Sequence, residues 1–368
     1  MDTNTLLNER TARIEKAVSL ETPDRVPVIL EYAGFAAHAT GTAMADFISS
    51  PAKATQTMID AFHRVGEGDA INYGSFSPHG LSYSFGSKVL VPGKDLPRDD
   101  LWQVVETPVM TPEDYDTILD RGWDAFFKDY LTHRIFKDAD PGMLPENQVP
   151  VDVPGLWAAH GVPVLSGGDI TLPFELLCGG RSLEKFFLDL LEIPDKVSAV
   201  MDAILPHLAD DIISGALEKG SMMVWIGGWR TAPCMISPDM WDRFVWPYLR
   251  HLIQEVIASG LVPMLHLDSD WERELGRFKA FPMGKIAVAL DGETDIFKAK
   301  EIIGDHACIM GDVPASLLAF GTPDEVFTYS RTLVDRLGPD GFMLQSGCDI
   351  PANATLENVR AMVAAAMA

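Results

Sequence analysis

The sequence has few cysteines and no long apolar run, and each absence excludes a class of protein. Four cysteines occur in 368 residues, and no two of them form a Cys-x-x-Cys pair, which argues against a disulfide framework. No stretch of about 18 consecutive apolar residues occurs, and the polar N-terminus "MDTNTLLNERTARIEKAV" lacks the apolar core of a signal peptide. We therefore predict a cytoplasmic protein that does not enter the membrane.

Positive charge is also scarce. Lysine and arginine total 29 against 53 aspartate and glutamate residues, so the formal net charge is -24. Such a chain repels a phosphate backbone, and no basic cluster is large enough to reverse this, which excludes nucleic acid as a partner. Hydrophobic residues make up 47% and charged residues 22%, without low-complexity tracts, as is typical of a globular protein.

Short apolar runs recur along the chain and alternate with segments of helical period. Strands that are apolar on both faces and alternate with amphipathic helices indicate a parallel sheet, and eight such units favour a closed (β/α)8 barrel, the TIM-barrel fold. The predicted helices cover 184–192, 194–218, 238–259, 296–303, 323–337 and 355–366. The eight apolar runs cover 26–30, 69–73, 162–166, 222–226, 262–266, 285–290, 307–310 and 341–345.

One connection is too long for an ordinary crossover between strands. Residues 74–161 separate the second and third predicted strands, are rich in Gly, Pro, Tyr and Trp, and include a helical pattern over 111–131. We predict a lid or partner-docking insertion that covers or borders the barrel mouth, within a single domain that spans 1–368.

The residues that follow each predicted strand are heavily polar. In a barrel the active site lies at the C-terminal ends of the strands, so these positions are candidates for chemistry. Each of them also has a structural explanation, since Asp and Gly favour turns. The set consists of Glu31, Tyr32, Asn72, Tyr73, Gly167, Gly168, Asp169, Gly228, Trp229, Arg230, His266, Asp268, Asp291, Glu293, Asp295, Asp312 and Gln345 to Cys348.

The segment "MLHLDSDW" carries the strongest candidate in this set. His266 and Asp268 lie two residues apart at a strand end, so their side chains point to the same side, and Cys348 follows the eighth strand at the same face. An imidazole, a carboxylate and a thiolate can hold zinc with one position open for substrate. Alternatively, Cys348 is a small buried residue, His266 is an interior hydrogen-bonding group and Asp268 caps a helix that starts near Trp271. The spacing leaves both interpretations open.

Several blocks of the chain resemble the uroporphyrinogen decarboxylase superfamily, and within it the cobalamin-dependent methyltransferase branch. The resemblance covers nearly the whole chain and implies the same barrel fold. It is carried by "RIEKAVSLETPDRVPVI", "SPDMWDRFVWPYLRHLIQ", "HLDSDW", "LDGETDIFKAKEIIGDHACIMGDVPASLLAFGTPDEV" and "SGCDIPANATLENVRAMV".

The segment after the first strand departs from the decarboxylases of this superfamily. Those enzymes resemble one another in an arginine-rich "RQAGRY"-like segment that binds the propionates of the porphyrinogen. This chain has "LEYAGFAAH" there, with Glu31 and no arginine. A polyanionic substrate would lose its charge pairing and bidentate hydrogen bonds, so decarboxylation of that porphyrinogen is disfavoured.

The resemblance to the methyltransferase branch implies a zinc site. Its members bind zinc through a His-x-Cys pair after the fifth strand and a Cys after the eighth, which correspond here to His266 and Cys348. Asp268 stands where the first of those cysteines would be. A carboxylate is a harder ligand than a thiolate and gives a better Lewis acid toward an oxygen or nitrogen donor.

The function implied by the resemblance is transfer of a methyl group from a small O- or N-methylated compound to the cobalamin of a corrinoid protein. The corrinoid protein must be a separate partner, because the chain has no DxHxxG-type cobalamin-binding segment. Two alternatives stay open: a decarboxylase of another small carboxylate, and a non-catalytic barrel subunit of a corrinoid system. Bound zinc would favour methyl transfer over both.

Within this interpretation the remaining strand-end residues receive candidate roles. Glu31, Asp291 and Asp312 are candidate catalytic acids or partners of the metal ligands. Glu31 ranks first because it stands alone after an apolar strand, where burial favours a protonated carboxyl group.

The candidate substrate-binding residues include three aromatic side chains, which could instead serve packing. Arg230 would hold the acid group of the substrate in the decarboxylase alternative. The full set is Tyr73, Phe76, Trp229, Arg230 and Gln345.

Overall fold

Eight short parallel strands surround one apolar interior in the computed structural model of the protein, which describes residues 2–66 and 68–368. The last six strands form one sheet and the first two form another, and the single bridges Val28–Leu344 and Ile71–Val164 join the two sheets on both sides. The strands therefore follow one another around a ring in chain order, as predicted for a (β/α)8 barrel. They are Ile29–Leu30, Ala70–Ile71, Ser166–Thr171, Met223–Gly227, Val262–Leu267, Ala287–Leu290, Cys308–Val313 and Phe342–Ser346.

The third strand lies further along the chain than the apolar pattern predicts. The run 162–166 contributes single hydrogen bonds to the second strand, such as Leu165 N–H to the Ile71 carbonyl at 3.0 Å. The regular strand starts at Ser166, in a glycine-rich segment that pairs with the fourth strand. Its first half is partly exposed, so apolar content did not indicate it.

The barrel interior is apolar at its N-terminal end and polar at its C-terminal end. Alternate strand residues point inward and pack on Ile14, Ala17 and Val18 of the first helix, which closes the N-terminal end. This leaves the C-terminal ends of the strands as the accessible part of the interior. The inward apolar set is Ile29, Ala70, Leu165, Met223, Met264, Ala287, Ala289, Cys308, Met310 and Met343.

Helices cover the outside of the ring, and three predicted ones are interrupted. The segment 111–131 breaks at Gly122, which has φ 82°. The segments 194–218 and 238–259 break next to Pro206 and Pro247, because proline removes a helical hydrogen bond and clashes with the preceding turn. The α-helices are Thr3–Val18, Gly34–Thr40, Met44–Phe47, Pro51–Val65, Gly80–Phe85, Pro112–Arg121, Trp123–Tyr130, Val153–Ala158, Pro173–Arg181, Leu183–Glu192, Pro194–Ile204, Asp210–Glu218, Pro238–Phe244, Trp246–Ala258, Ile296–Ile303, Ala315–Phe320, Pro323–Leu337 and Leu356–Ala365.

None of these helices, across residues 2–66 and 68–368, combines the length and the apolar character that a membrane span requires.

The long insertion between the second and third strands contacts the C-terminal side of the barrel. It contains an antiparallel pair, Lys88–Leu90 with Gln103–Val105. Its Ser84 hydroxyl donates to the Asp169 carboxylate on the third strand, and its Phe85 ring lies 4.6 Å from the Trp229 ring. The insertion therefore borders residues of the third strand and the loop after the fourth, while its role as a lid or docking segment stays a prediction.

Candidate active site

Three side chains with metal-ligand chemistry converge at the C-terminal mouth of the barrel. His266 lies on the fifth strand, Asp268 follows that strand, and Cys348 follows the eighth. One ligand atom from each lies within 4.8 Å of the other two, and His266 Nε2 is 3.3 Å from an oxygen of Asp268. His266 is buried, Asp268 is half-buried and Cys348 reaches solvent. This nitrogen, oxygen and sulfur set fits a zinc ion with an open position toward solvent.

The electrostatics of this group favour a bound cation. Burial alone would lower the pKa of His266, but hydrogen bonds to Asp268 and Cys348 raise that pKa well above its ordinary value. Partial desolvation of the Cys348 thiol among its neighbours raises its pKa, although the hydrogen bond from His266 opposes this. Because the three groups hold a proton firmly between them, a metal ion binding there would compete with that proton.

On the Nδ1 side, packing and not a hydrogen bond orients the His266 ring. Its Nδ1 is buried and has no hydrogen-bond partner in the part of the chain that the structure describes. The ring lies 5.5 Å from the Trp225 ring, at an interplanar angle of 30°. Most metal-binding histidines donate their second nitrogen to an acceptor, so this site differs from that pattern.

Asp291 positions the loop that carries Asp268. One of its oxygens accepts from Ser269 N–H at 2.6 Å and the other from Glu293 N–H at 2.9 Å. Ser269 has φ 70°, a conformation that a non-glycine residue adopts only when its surroundings hold it there. Burial raises the pKa of Asp291. Both carboxylate oxygens are therefore engaged with backbone amides.

Close backbone contact holds the loop that carries Cys348 against Asp291. A Cβ at Gly347 would lie 2.4 Å from the carbonyl oxygen of Asp291, so this position requires glycine.

Asp268 caps no α-helix near Trp271; instead the Trp271 indole N–H donates to the Asp268 carbonyl at 2.8 Å.

Glu31 lies next to the three ligand candidates, where two amides hold it. Its Oε2 accepts from Asn72 Nδ2 at 2.6 Å and from Gln345 Nε2 at 2.7 Å. Its negative charge contributes to the raised pKa values of both His266 and Cys348. Glu31, Gln345 and the three ligand candidates therefore occupy one site.

Asp349 belongs to this site and was not among the predicted residues. Tyr73 donates a hydrogen bond to one of its oxygens, and Ala33 N–H donates to the other at 3.2 Å. Burial, followed by the charge of Glu31, raises the pKa of Asp349 to about 7. Its place directly after Cys348 was the available signal, but apolar periodicity ends before it.

The predicted aromatic walls occupy different places. Tyr73, which donates to Asp349, packs on Phe76 at 6.3 Å, and Phe76 continues onto Trp102 at 4.3 Å. Trp229 instead packs on Phe85 of the insertion and over the Arg230 guanidinium at 4.1 Å.

Arg230 is buried in an ion cluster. Its side chain is 0% exposed and pairs with Glu175, also 0% exposed, at 3.2 Å. The other guanidinium nitrogens donate to Glu106 at 3.0 Å and to the Ser87 hydroxyl at 3.0 Å. These contacts tie the insertion to the barrel, and each guanidinium nitrogen already has an acceptor.

Asp312 lies at the end of the seventh strand and bonds to the helical layer. It accepts from the Tyr329 hydroxyl at 2.8 Å. Burial raises the pKa of Asp312 to about 6, from an ordinary value of 3.8. No hydrogen bond or ion pair links Asp312 to His266, Asp268 or Cys348 among the described residues.

We expect the substitution Asp312→Asn to flatten the dependence of stability on pH. The pKa of Asp312 is higher in the folded than in the unfolded protein. Asp312 therefore does not lower the free energy of unfolding below pH 3.8, lowers it progressively as pH rises from 3.8 to about 6, and lowers it by a constant amount above that. From pH 4 to 7 the wild type should lose about 2–3 kcal/mol relative to the variant, measured by urea unfolding. A difference that stays constant with pH would contradict this. Tyr329→Phe removes the donor to the carboxylate and so raises the folded pKa of Asp312 further. The loss of stability should therefore extend to higher pH in this variant.

The fold and the polar mouth together define a barrel protein with an enzyme-like site. The model of the family described as "Uroporphyrinogen decarboxylase (URO-D)" matches residues 159–368, more than half of the chain. The chain belongs to the uroporphyrinogen decarboxylase family, which confirms the family predicted from the sequence.

Curated relatives agree with this assignment, and a solved structure agrees with the fold. Uroporphyrinogen decarboxylase of Myxococcus xanthus is 24% identical over 194 residues, 50% of this chain and 53% of that protein. The methylcobamide:CoM methyltransferase MtaA of Methanosarcina barkeri is 26% identical over 215 residues, 55% of this chain and 58% of that protein. The chain thus spans about half the length of the curated relatives it matches. The structure of a methyltransferase from Methanosarcina mazei superposes on 97% of this chain, over 98% of the methyltransferase chain, with a TM-score of 0.68 and 18% identity. This similarity supports the barrel fold.

Proposed function

We propose that the protein is the methyltransferase component of a corrinoid system. It moves a methyl group from a small O- or N-methylated compound to the cobalamin of a separate corrinoid protein. The observation that carries this proposal is the convergence of His266, Asp268 and Cys348 within 4.8 Å at the barrel mouth. The similarity to the MtaA methyltransferase supports it.

The chemical difficulty of this reaction lies in the leaving group. The bond between the methyl carbon and the heteroatom breaks, the heteroatom keeps the electron pair, and the cob(I)alamin supplies the pair for the new bond to carbon. A zinc ion held by His266, Asp268 and Cys348 would supply Lewis-acid stabilisation of the departing heteroatom. Asp291 holds the Asp268 loop in place for this purpose through its bonds to backbone amides.

The hydrogen bonds of Glu31 suggest a binding role for it in this reaction, beside the acid role predicted from the sequence. Two amide N–H groups donate to one of its oxygens, an arrangement that suits a carboxylate, since a carboxylate only accepts hydrogen bonds. We propose that Glu31 orients the methyl donor beside the metal ligands.

A decarboxylase is the second candidate, because several of the curated relatives are uroporphyrinogen decarboxylases. Its substrate needs cationic side chains at the mouth. The predicted one, Arg230, is instead paired with Glu175 and Glu106. This favours methyl transfer over decarboxylation, and bound zinc would also argue against a non-catalytic barrel.

The test is incubation of the purified protein with free cob(I)alamin and a panel of methylated phenols, amines and thiols. We expect at least one donor to convert cob(I)alamin to methylcobalamin, recorded by the change in the corrinoid spectrum. Zinc-loaded protein that forms no methylcobalamin from any donor would contradict the proposal. Release of carbon dioxide from a small carboxylate under the same conditions would favour the decarboxylase.

A further inference from the structure

A group of hydrogen-bond acceptors without donors lies beside the proposed metal ligands. Asn72 is 1% exposed and Gln345 is 0% exposed, and both give their amide nitrogens to Oε2 of Glu31. Because a carboxylate cannot donate, the amide nitrogens must face it, and this fixes the orientation of both amides. The carbonyl oxygens Asn72 Oδ1 and Gln345 Oε1 are then buried without a hydrogen-bond partner among the described residues.

Buried acceptors of this kind are costly unless something donates to them. An unpaired buried polar group typically costs about 1–3 kcal/mol, and here two lie next to one carboxylate. Asn72 and Gln345 point into the barrel, since each lies two positions after an inward residue, Ala70 and Met343 respectively, and so shares its face of the strand. The unpaired oxygens therefore belong to the same space as the mouth of the barrel.

Apart from His266, the titratable side chains described at the mouth are acidic. Among residues 2–66 and 68–368, no lysine or arginine forms an ion pair with Glu31, Asp268 or Asp349. A zinc ion would be offset by the Asp268 carboxylate and the Cys348 thiolate. The charge of Glu31 and the acidic group of Asp349 would remain, so the space beside them attracts cations and repels anions.

We propose that Asn72, Gln345 and Glu31 form a recognition subsite for an ammonium head group on the methyl donor. This rests on the proposed function, because it identifies the substrate class of the same site. The head group donates its N–H bonds to the two amide carbonyls and the carboxylate. It takes no part in the transfer and sets which methylated compounds enter the barrel. Compounds with a carboxylate or phosphate in that position are excluded.

The proposal is tested by direct binding to the purified 368-residue protein without cobalamin. Isothermal titration calorimetry compares isopropylammonium, isopropanol and isobutyrate, which share an isopropyl group and carry a positive, a neutral and a negative polar group respectively. We expect the ammonium to bind at least about tenfold more tightly than either of the others, because charge-assisted hydrogen bonds are stronger than neutral ones. Tighter binding of isobutyrate, or no saturation by the ammonium, would overturn the proposal.

Variants separate the subsite from general destabilisation. Gln345→Met keeps the length of the side chain, removes the amide and should weaken ammonium binding by about tenfold or more. Asn358→Leu is the control, because Asn358 is also a buried amide with an unpaired carbonyl, remote in the helix Leu356–Ala365. Ammonium binding that persists unchanged in Gln345→Met would overturn the proposal.

The failure of this subsite and the failure of the proposed function give different results. If methylcobalamin forms but anions bind more tightly than ammonium, the proposed ammonium subsite is wrong and the proposed methyl transfer stands. If ammonium binds selectively but no donor methylates cob(I)alamin, the subsite stands and the reaction is wrong.

Discussion

Substitution of Cys348 by serine should remove most of the bound zinc and lower methyl transfer by more than about 100-fold. A serine hydroxyl is a poor zinc ligand, and only His266 and Asp268 would remain. The expected loss of activity is larger than the roughly 10–100-fold loss of metal affinity or activity that is typical when a residue that only orients a metal ligand is removed. Zinc content by elemental analysis and methylcobalamin formation are measured on the same samples.

Two further variants make this result specific. Cys234→Ser is the matched control, because Cys234 is the other exposed cysteine and should retain zinc and activity. Asp268→Asn should retain more zinc than Cys348→Ser while losing activity, since an amide oxygen can still coordinate but carries no charge. Full zinc and intact activity in Cys348→Ser would mean that Cys348 serves packing and that the protein binds its zinc without this cysteine.

Substitution of Arg230 by methionine should lower the free energy of unfolding by about 3–5 kcal/mol. The change leaves Glu175 buried without its cation, and breaking a buried pair by removing one partner is strongly destabilising. Urea unfolding of wild type and variant measures the difference. Arg273→Met is the control, because Arg273 is 41% exposed in its pair with Glu274 and should cost no more than about 1 kcal/mol.

This substitution also tests the role in substrate binding that the sequence left to Arg230. A residue that holds a substrate carboxylate would lose affinity with little change in stability. Unchanged stability together with lost binding of small carboxylates would therefore show that the guanidinium is available to ligands and would favour the decarboxylase. Replacing Glu175 by leucine in the Arg230→Met background should recover part of the lost stability, because both charges are then absent.

The sequence by itself determined the barrel and the approximate ends of most of its strands. Strands buried on both faces must be apolar, and eight such runs alternate with helices, so the ring could be predicted before any contact was known. The same pattern placed His266 and Asp268 after one strand and Cys348 after another. The third strand escaped it because "SGGDIT" is half exposed and rich in glycine, so burial left no apolar pattern there.

Only the tertiary structure decided which of the polar strand-end residues meet. Glu31, Asn72, Gln345 and Asp349 come from three distant parts of the chain, and their hydrogen bonds depend on ring closure that local spacing does not encode. Arg230 follows the fourth strand and Asp312 lies near the end of the seventh, yet one pairs with Glu175 and the other with Tyr329 of an outer helix. Periodicity indicates which side of a strand a residue occupies. A buried charge, however, needs a partner that compensates its lost hydration, and long-range packing decides which residue that partner is.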